Sequence, residues 1–372
     1  MLNYEHLSFW EKRTYTEEID TLIIGAGIVG MTCAIYHKIR FPHRKIVVIE
    51  RGYLPTGAST KNAGFACFGS PSELYEDLQQ MPEDQVWETL SMRYEGLQKL
   101  FEIVPKHAMS YSACGSWDLM KDSMESDFIH YLNQQVERIT GISEVYSDDS
   151  VKIQASQFQG FNVAYKNRSE GSIDTGRLIE ALHRKCIEIG VHFLFGSEVT
   201  SISIDSSIKS VHTQYGCLKS HQIALCTNAF AQQLMPLDVQ PARAQVLVTS
   251  PINNLAIEGT FHFDAGYYYF RNVGNRVLFG GGRNQAFKEE STDSMEITPG
   301  LQIHLESLLR TNILPNQVFD IEYRWAGTLG IGPSKEPIVR QIAPGVVAGV
   351  RMGGMGVAIG SLVGAKLSKL MQ

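Results

Sequence analysis

The sequence predicts an α/β protein of two interleaved domains, and three of its segments carry that prediction. Residues 21–49 have the pattern of a strand, a glycine turn, a helix and a second strand, and residues 346–367 repeat the strand, turn and helix. Between them, residues 243–282 are rich in amino acids that favour β-strands. The length of 372 residues exceeds the size at which one hydrophobic core usually stops growing. We therefore expect helices on a parallel sheet, interrupted by a second domain with an antiparallel sheet.

The N-terminal glycine turn indicates what the first domain binds. The apolar run Thr21-Leu-Ile-Ile24 leads into Gly25-Ala-Gly27-Ile-Val-Gly30, and a second strand then ends at Glu50. The first glycine permits a tight turn, the second admits a pyrophosphate close to backbone N–H groups, and the third lets the helix pack on the strand. Glu50 follows Gly30 by 20 residues, where a carboxylate accepts hydrogen bonds from ribose hydroxyls. The segment predicts a site for the ADP half of a dinucleotide.

The elements between the two glycine turns follow from periodicity and turn residues. Residues 51–70 have many glycines and polar turn formers without periodicity, which predicts an ordered loop. Apolar residues at helical spacing predict one helix around Val86–Phe101 and another around Phe128–Ile139, which ends at Gly141. The same reasoning predicts helices over 174–190 and 302–309 and strands over 191–195, 198–205, 211–215, 220–226, 245–249, 267–270 and 277–279.

The C-terminal glycine turn favours a flavin as the other half of the dinucleotide. Strand Val346–Val350 precedes glycines at 353, 354 and 356 and a helix with small residues on one face. Such a turn lets backbone N–H groups and a helix N-terminus approach a planar, electron-rich group. The isoalloxazine ring fits, because its N1–C2=O region gains negative charge on reduction. An NAD-dependent dehydrogenase remains the alternative that the first glycine turn alone would permit.

Composition narrows the partners and the compartment. A net charge of −6 leaves no basic surplus for nucleic acid. The six cysteines show no zinc-binding spacing, so no metal site is predicted. No secretory signal and no apolar run long enough for a membrane span are visible. These features predict a cytoplasmic protein that acts on small molecules, while its oligomeric state stays open.

Five motifs in order resemble one family over nearly the whole chain. Besides the first glycine turn with Glu50, they are Gly57-Ala-Ser59-Thr-Lys-Asn62-Ala-Gly64, Gly171-Ser-Ile-Asp174-Thr-Gly-Arg-Leu, Cys226-Thr-Asn-Ala229, and Trp325-Ala-Gly327 leading to Gly353-Gly-Met-Gly356. The combination is similar to the FAD-dependent D-amino acid oxidase-like superfamily, in the branch with glycine oxidase, sarcosine oxidase and γ-glutamylputrescine oxidase.

The resemblance implies a domain organisation. It implies an FAD-binding Rossmann-like domain of the glutathione reductase type, interleaved with an α+β substrate domain built on an antiparallel sheet. The expected division assigns residues 16–80, 150–240 and 323–372 to the FAD-binding domain and residues 81–149 and 241–322 to the substrate domain.

The resemblance also implies where FAD lies. FAD is expected to be non-covalently bound, since no cysteine after Cys226 is present to form the thioether link of sarcosine oxidase-like proteins. Ser59 and Asn62 would lie by the pyrophosphate and ribityl chain, and Val199 would flank the adenine. The predicted cofactor-binding residues are Gly25, Gly27, Ile28, Gly30, Glu50, Arg51, Ser59, Asn62, Ala63, Gly64, Val199, Thr227, Asn228, Gly327, Gly353, Gly354, Met355, Gly356 and Val357.

The implied activity is oxidation of the C–N bond of an amine or amino acid by hydride transfer to flavin N5. Water would hydrolyse the imine product, and oxygen or another electron acceptor would reoxidise the flavin. Glycine oxidase-like proteins have an arginine where Leu329 stands, and sarcosine oxidase-like proteins have a lysine near Leu278. These departures leave oxidase and dehydrogenase both open, and a flavin-carrying subunit of a larger electron-transfer complex is a further alternative.

The predicted substrate face lies on one strand. Side chains alternate along a strand, so Tyr267, Tyr269 and Arg271 share one face. Two phenols and a guanidinium there could hold a carboxylate and cover an amine. Together with Arg351 these three are the predicted catalytic residues, and Arg243, Arg283 and Arg324 are further candidates for binding an anion.

Overall fold

The strands form two large sheets and one small one. The computed structural model describes residues 3–204 and 206–372. Within them, two sheets have eight strands each, and Phe65–Ala66 pairs with Gly171–Ser172 in a two-stranded sheet. This combination of sheets and helices confirms the predicted α/β fold class.

The first sheet is parallel at its centre. Ile19–Ile24 pairs in parallel with Ile46–Ile49 on one side and Gly216–Leu225 on the other. Helices or loops cover both faces, which is why Ile46–Ile49 is an unbroken apolar run and is fully buried. In sheet order the strands are Ile338–Ala343, Val346–Val350, Gly216–Leu225, Ile19–Ile24, Ile46–Ile49 and His192–Leu194, while Lys209–Thr213 pairs antiparallel with both Gly216–Leu225 and Val199–Ser203.

The helices that follow the two glycine turns pack against each other on the first sheet. Ile28–Arg40 follows the N-terminal turn and Gly356–Leu370 follows the C-terminal one. The two helices lie in close contact: a Cβ added at Gly364 would be only 2.1 Å from Thr32 Oγ1, so a larger residue there would not fit. The other longer helices are Pro71–Gln80, Glu83–Ile103, Ser126–Thr140, Val151–Ser156, Thr175–Glu188 and Pro299–Leu308, and the short helical turns are Tyr4–His6, Phe9–Glu11, Lys12–Thr16, Ala58–Lys61, Asn228–Gln233, Arg283–Gln285 and Leu309–Ile313.

The second sheet is largely antiparallel, as predicted. Tyr268 and Phe270 point into its aromatic core beneath helix Pro299–Leu308, whereas Tyr269 lies on the opposite face against Phe65. This alternation explains how one strand can serve both a core and a site. In sheet order the strands are Ile321–Ile331, Gln240–Thr249, Arg276–Gly281, Tyr268–Val273, Thr260–Phe263, Ser116–Met120, Val163–Asn167 and Tyr146–Asp148.

Most predicted helices and strands are observed with small shifts of their ends. Gly141 ends its helix with φ 73°, a left-handed conformation that glycine adopts without strain. The predicted loop over 51–70 contains helix Ala58–Lys61 and a short strand. The strand predicted over 198–205 is observed as Val199–Ser203, and its last residue lies outside the described part, as do the first two residues of the chain. Among the described helices, none is long and apolar enough to cross a bilayer.

Sheet membership differs from the expected division at two strands. Val163–Asn167 and Ile321–Ile331 belong to the second sheet, although the division placed almost all of their residues with the FAD-binding domain. They pair with Ser116–Met120 and Gln240–Thr249 respectively, and such long-range pairing leaves no mark in the local pattern. Conversely, Glu83–Ile103 buries apolar residues in the core of the first sheet. We propose that the domains be divided by sheet and core rather than by continuous ranges.

Candidate active site

A cavity of about 450 Å³ lies between the two sheets, and both glycine turns line it. Gly25 and Gly27 form part of its wall at one end of the chain, and Gly353, Gly354 and Gly356 do so at the other. The two turns are more than 300 residues apart in sequence. Parallel pairing within the first sheet brings them to the same edge, because each follows the carboxyl end of a strand.

The N-terminal turn has the close packing that a phosphate-binding backbone requires. Gly25 has a φ of 106°, which other residues rarely adopt. A Cβ at Gly30 would lie 1.9 Å from the carbonyl oxygen of Gly25, so this position only accommodates glycine. Gly27 begins the helix without a side-chain cap. Ile28 N–H donates to Ser59 Oγ at 3.0 Å, which ties the loop over 57–64 to the helix N-terminus.

Glu50 holds the turn from the neighbouring strand end. Its carboxylate accepts hydrogen bonds from Ala26 N–H and Gly52 N–H, each at 3.0 Å. These two bonds leave further lone pairs on the carboxylate for a ribose hydroxyl in the cavity, whose wall includes Glu50. Arg51 also lines the cavity, and its guanidinium lies 3.9 Å from the ring centroid of Phe230.

The loop over 57–64 uses its polar side chains mainly for its own conformation. Asn62 Nδ2 donates to the carbonyls of Ala58 and Ser59, and Asn62 Oδ1 accepts from Gly64 N–H. Asn62 and Ala63 still line the cavity. Gly64 is not part of the cavity wall, and its carbonyl accepts a hydrogen bond from Ile173 N–H at 2.8 Å.

The side chain of Asn228 binds the backbone just before the C-terminal glycine turn. Asn228 Oδ1 accepts from Arg351 N–H at 3.0 Å and from Met352 N–H at 3.4 Å. The helix that begins at Gly356 has no side-chain cap, and Gly356 and Val357 line the cavity. Beside it, the buried hydroxyl of Thr227 has no hydrogen-bond partner in the part of the chain that the structure describes. Uncapped N–H groups and an unpaired hydroxyl suit a polar planar ligand.

The wall therefore brings together nearly all of the predicted cofactor-binding residues, and their donors and acceptors fit FAD. Gly30 and Gly64 lie outside the wall, since they serve helix packing and loop geometry. The predicted residues within the wall are Gly25, Gly27, Ile28, Glu50, Arg51, Ser59, Asn62, Ala63, Val199, Thr227, Asn228, Gly327, Gly353, Gly354, Met355, Gly356 and Val357.

The rest of the cavity faces the second sheet and is lined by aromatic and titratable groups. Tyr267 and Tyr269 project into it, together with His262 from the adjacent strand, which is opposite Tyr269 in register. Burial raises the pKa of Tyr269 to about 12 and lowers the pKa of His262 to about 4. Both groups are therefore uncharged near neutral pH. This end of the cavity is suited to a small polar substrate.

Arg271 does not reach the cavity, although it shares a strand face with Tyr269. A strand advances about 3.3 Å per residue, so Arg271 lies beyond the end of the cavity. Its side chain is buried, its Nη1 donates weakly to the Gly64 carbonyl at 3.4 Å, and its Nε has no partner among the described residues. A shared strand face was therefore not enough to predict which side chains reach the cavity, and the structure does not support a substrate contact for Arg271.

Of the other candidate arginines, Arg283 lines the cavity without a carboxylate partner. Its guanidinium lies 4.7 Å from the ring centroid of Phe287, and no acidic side chain in the described residues forms an ion pair with it. Burial lowers its pKa, yet guanidinium stays charged in proteins. The remaining arginines are bound within the protein: Arg243 to Glu290, Arg324 to Gln302 and Glu306, and Arg351 to Asp238 and to the carbonyls of Asp238 and Glu336.

A network of four charged side chains closes the cavity beside helix Pro71–Gln80. Glu73 Oε1 lies 3.0 Å from Arg93 Nη2 and 2.9 Å from Lys335 Nζ, and Lys335 Nζ lies 2.7 Å from Asp77 Oδ1. Burial by itself would raise the pKa of Glu73, but Arg93 and Lys335 outweigh it and hold that pKa at about 2. Glu73 is therefore charged throughout the physiological range and fixes the loop that carries Lys335.

We expect Glu73 to stabilise the fold above pH 4.5 and to lose this effect in acid. Its folded pKa of about 2 lies below the ordinary 4.5, so stability falls as pH drops from 4.5 towards 2. The difference in unfolding free energy between wild type and Glu73→Gln should shrink by roughly 1 kcal/mol between pH 7 and pH 3.5. Urea titrations at both pH values measure it, with exposed Glu180→Gln as the control. An unchanged difference would contradict the ion-pair account.

Several residues of the site were not predicted from the sequence. His262, Cys67, Glu73 and Lys335 all line the cavity, yet they lie in four separate segments with no shared motif. The position of His262 could have been inferred from an antiparallel pairing with the strand that carries Tyr269. The others needed the tertiary structure, because loops and helices bring them to the cavity.

Comparison with known proteins identifies the family. The profile described as DAO, FAD dependent oxidoreductase, matches residues 20–370. The probable oxidoreductase OrdL of Haemophilus influenzae is 21% identical over 374 residues, covering 94% of this chain and 82% of that protein. The bifunctional protein ThiO/ThiG of Trichormus variabilis is 22% identical over 334 residues, which cover 86% of this chain and 47% of that protein.

Solved structures with the same fold agree. L-proline dehydrogenase from P. horikoshii has a TM-score of 0.75 at 18% identity, with 95% of this chain and 93% of that chain covered. Glycine oxidase from Geobacillus kaustophilus has a TM-score of 0.74 at 19% identity, with 95% of both chains covered. The family match favours the flavin over the nicotinamide alternative, and it agrees with the cavity between the glycine turns. This chain belongs to the DAO family of FAD-dependent oxidoreductases.

Proposed function

We propose that this enzyme oxidises the C–N bond of an amine or amino acid to an imine, which water then hydrolyses. The observation that carries the proposal is the position of Arg283 on the wall of the cavity that the glycine turns line, where no acidic side chain of the described residues forms an ion pair with it. When bound, FAD supplies at N5 an acceptor for the hydride lost from the carbon beside nitrogen. Similarity to proteins named L-proline dehydrogenase and glycine oxidase supports a substrate of this class.

The side chains around the pocket bind and orient the substrate in this proposal. Arg283 pairs with a substrate carboxylate, since it lies on the wall with Tyr267 and Tyr269 and, among the described residues, no acidic side chain forms an ion pair with it. The phenols of Tyr267 and Tyr269 stay protonated, because burial raises the pKa of both, and they donate hydrogen bonds. His262 on the same wall is uncharged, because burial lowers its pKa to about 4.

The cofactor is proposed to bind without a covalent bond, through the wall residues of the two glycine turns. Glu50 would accept from the ribose, Ser59 and Asn62 would lie by the pyrophosphate, and the helix beginning at Gly356 would point its N–H groups at the ring. Cytoplasmic location is part of the same proposal, supported by cysteines that are all free thiols in the structure.

Anaerobic mixing of the FAD-loaded protein with a panel of amines and of D- and L-amino acids tests the proposed reaction. Loss of the oxidised flavin absorbance with one group of substrates is the expected result. Mixing the reduced protein with oxygen or with an artificial acceptor then separates an oxidase from a dehydrogenase. If no member of the panel reduces the flavin, the protein is better described as a flavin-carrying subunit of an electron-transfer complex.

Replacing Arg283 with alanine should weaken the binding of substrates that carry a carboxylate and should leave the binding of other substrates unchanged. A charge-assisted pair contributes about 1.5–3 kcal/mol, so KM for an amino acid should rise roughly 10- to 100-fold. The matching amine without the carboxylate should change little. Arg184→Ala is the control, because that arginine is exposed on a remote helix. Equal loss for both substrate types would contradict a role in carboxylate binding.

A further inference from the structure

Three side chains from distant segments converge on the cavity wall. Cys67, Glu170 and His262 each offer one ligand atom, and these atoms all lie within 4.8 Å of one another. Cys67 and His262 line the cavity, while Glu170 is fully buried behind them. No hydrogen bond joins any two of the three within residues 3–204 and 206–372. Sulfur, carboxylate oxygen and imidazole nitrogen at these separations are close enough to bind one cation.

The elements that carry the three residues hold them firmly. Cys67 follows the short strand Phe65–Ala66, and Glu170 precedes Gly171–Ser172, which pairs with it. Glu170 accepts from Phe68 N–H at 2.7 Å, from Gly69 N–H at 3.1 Å and from the Ser116 hydroxyl. A carboxylate has about four lone-pair sites, so one remains. Outer partners of this kind orient metal ligands.

The burial of Glu170 also favours a bound cation. Glu170 is 0% exposed, and no basic side chain in the described residues forms an ion pair with it. A divalent cation would neutralise a carboxylate and a thiolate together, which removes the cost of burying either anion alone.

We propose that Cys67, Glu170 and His262 form a Zn²⁺ site with a fourth position open to the cavity. Sulfur, imidazole nitrogen and carboxylate oxygen are all zinc ligands, and three protein ligands with one open position are typical of non-structural zinc sites. On binding, the Cys67 S–H bond breaks, its proton leaves to solvent and a S–Zn bond forms. Zn²⁺ does not change oxidation state. The cavity provides the entry path, and an electron-rich group of a substrate can take the open position.

Zinc stoichiometry in the FAD-loaded protein tests the site without any turnover. The protein is dialysed against a chelator, equilibrated with Zn²⁺, freed of excess metal and measured by elemental mass spectrometry. We expect about one Zn²⁺ per chain, with affinity that rises between pH 6 and pH 8 because the ligands must lose protons. Replacing Zn²⁺ with Co²⁺ should produce a thiolate charge-transfer band beneath the flavin spectrum.

Matched variants locate the metal. Cys67→Ala and His262→Ala should lower zinc affinity at least tenfold, and Cys67→Ala should also abolish the Co²⁺ thiolate band. Cys217→Ala removes an exposed cysteine and should change neither. Glu170→Gln keeps the buried hydrogen bonds, so it should weaken zinc binding without unfolding the protein. The flavin content of each variant shows whether the protein is folded and binds FAD, independently of whether it binds zinc. Wild type that retains no zinc, or variants that retain as much as wild type, would overturn the proposal.

Discussion

Gly27→Val is expected to fold and to purify without FAD. The Gly27 φ of −81° suits any residue, so the backbone is not strained. Its added Cβ would lie 2.8 Å from Ser59 Oγ, and the branched side chain would fill the space through which a pyrophosphate approaches the Ile28 N–H. Losing this approach should reduce the flavin-to-protein ratio of the purified variant to below roughly one tenth of the wild-type ratio.

The flavin absorbance of the purified protein, relative to protein concentration, gives this ratio directly. Gly300→Val is the matched control, because a Cβ at Gly300 has nothing within 4 Å. Far-ultraviolet circular dichroism shows whether both variants are folded. Gly27→Val with a full complement of flavin would show that the cofactor does not lie at the N-terminal glycine turn.

Arg243→Ala is expected to destabilise the protein by about 3–5 kcal/mol, because it leaves a buried charge without a partner. Arg243 Nε lies 2.7 Å from Glu290 Oε2, and Arg243 Nη2 lies 2.9 Å from Glu290 Oε1. Glu290 is 0% exposed. Gln245 and Thr298 also donate to Glu290 at 2.9 and 3.1 Å, so the arginine supports a network beneath the second sheet. Arg243 therefore has a structural role rather than one in substrate binding.

Chemical unfolding followed by circular dichroism measures this loss. The control is Arg184→Ala, which removes an exposed helical ion pair with Glu180 and should cost less than about 1 kcal/mol. A double variant, Arg243→Met with Glu290→Leu, should recover most of the stability, because no buried charge is left unpaired. An Arg243→Ala protein no less stable than Arg184→Ala would contradict the account.

The two glycine turns could be recognised from sequence because local geometry determines them. Gly30 must be glycine to let a helix pass the backbone of Gly25, and this need is met within six residues of chain. The alternation of Tyr268, Tyr269 and Phe270 was likewise readable, since a strand repeats every two residues. Which of these faces formed a core and which a cavity depended on the element packed against each.

The sequence by itself determined the fold class, both glycine turns, the acidic strand end at Glu50 and thus the flavin cofactor, because short-range backbone requirements specify these features. Only the tertiary structure decided that Arg283 lines the cavity while Arg243 is neutralised by Glu290. It also brought Cys67, which follows a short strand, together with His262 from a distant strand. Pairings and charge partners of this kind join residues tens to hundreds of positions apart, and no local pattern encodes the distance between them.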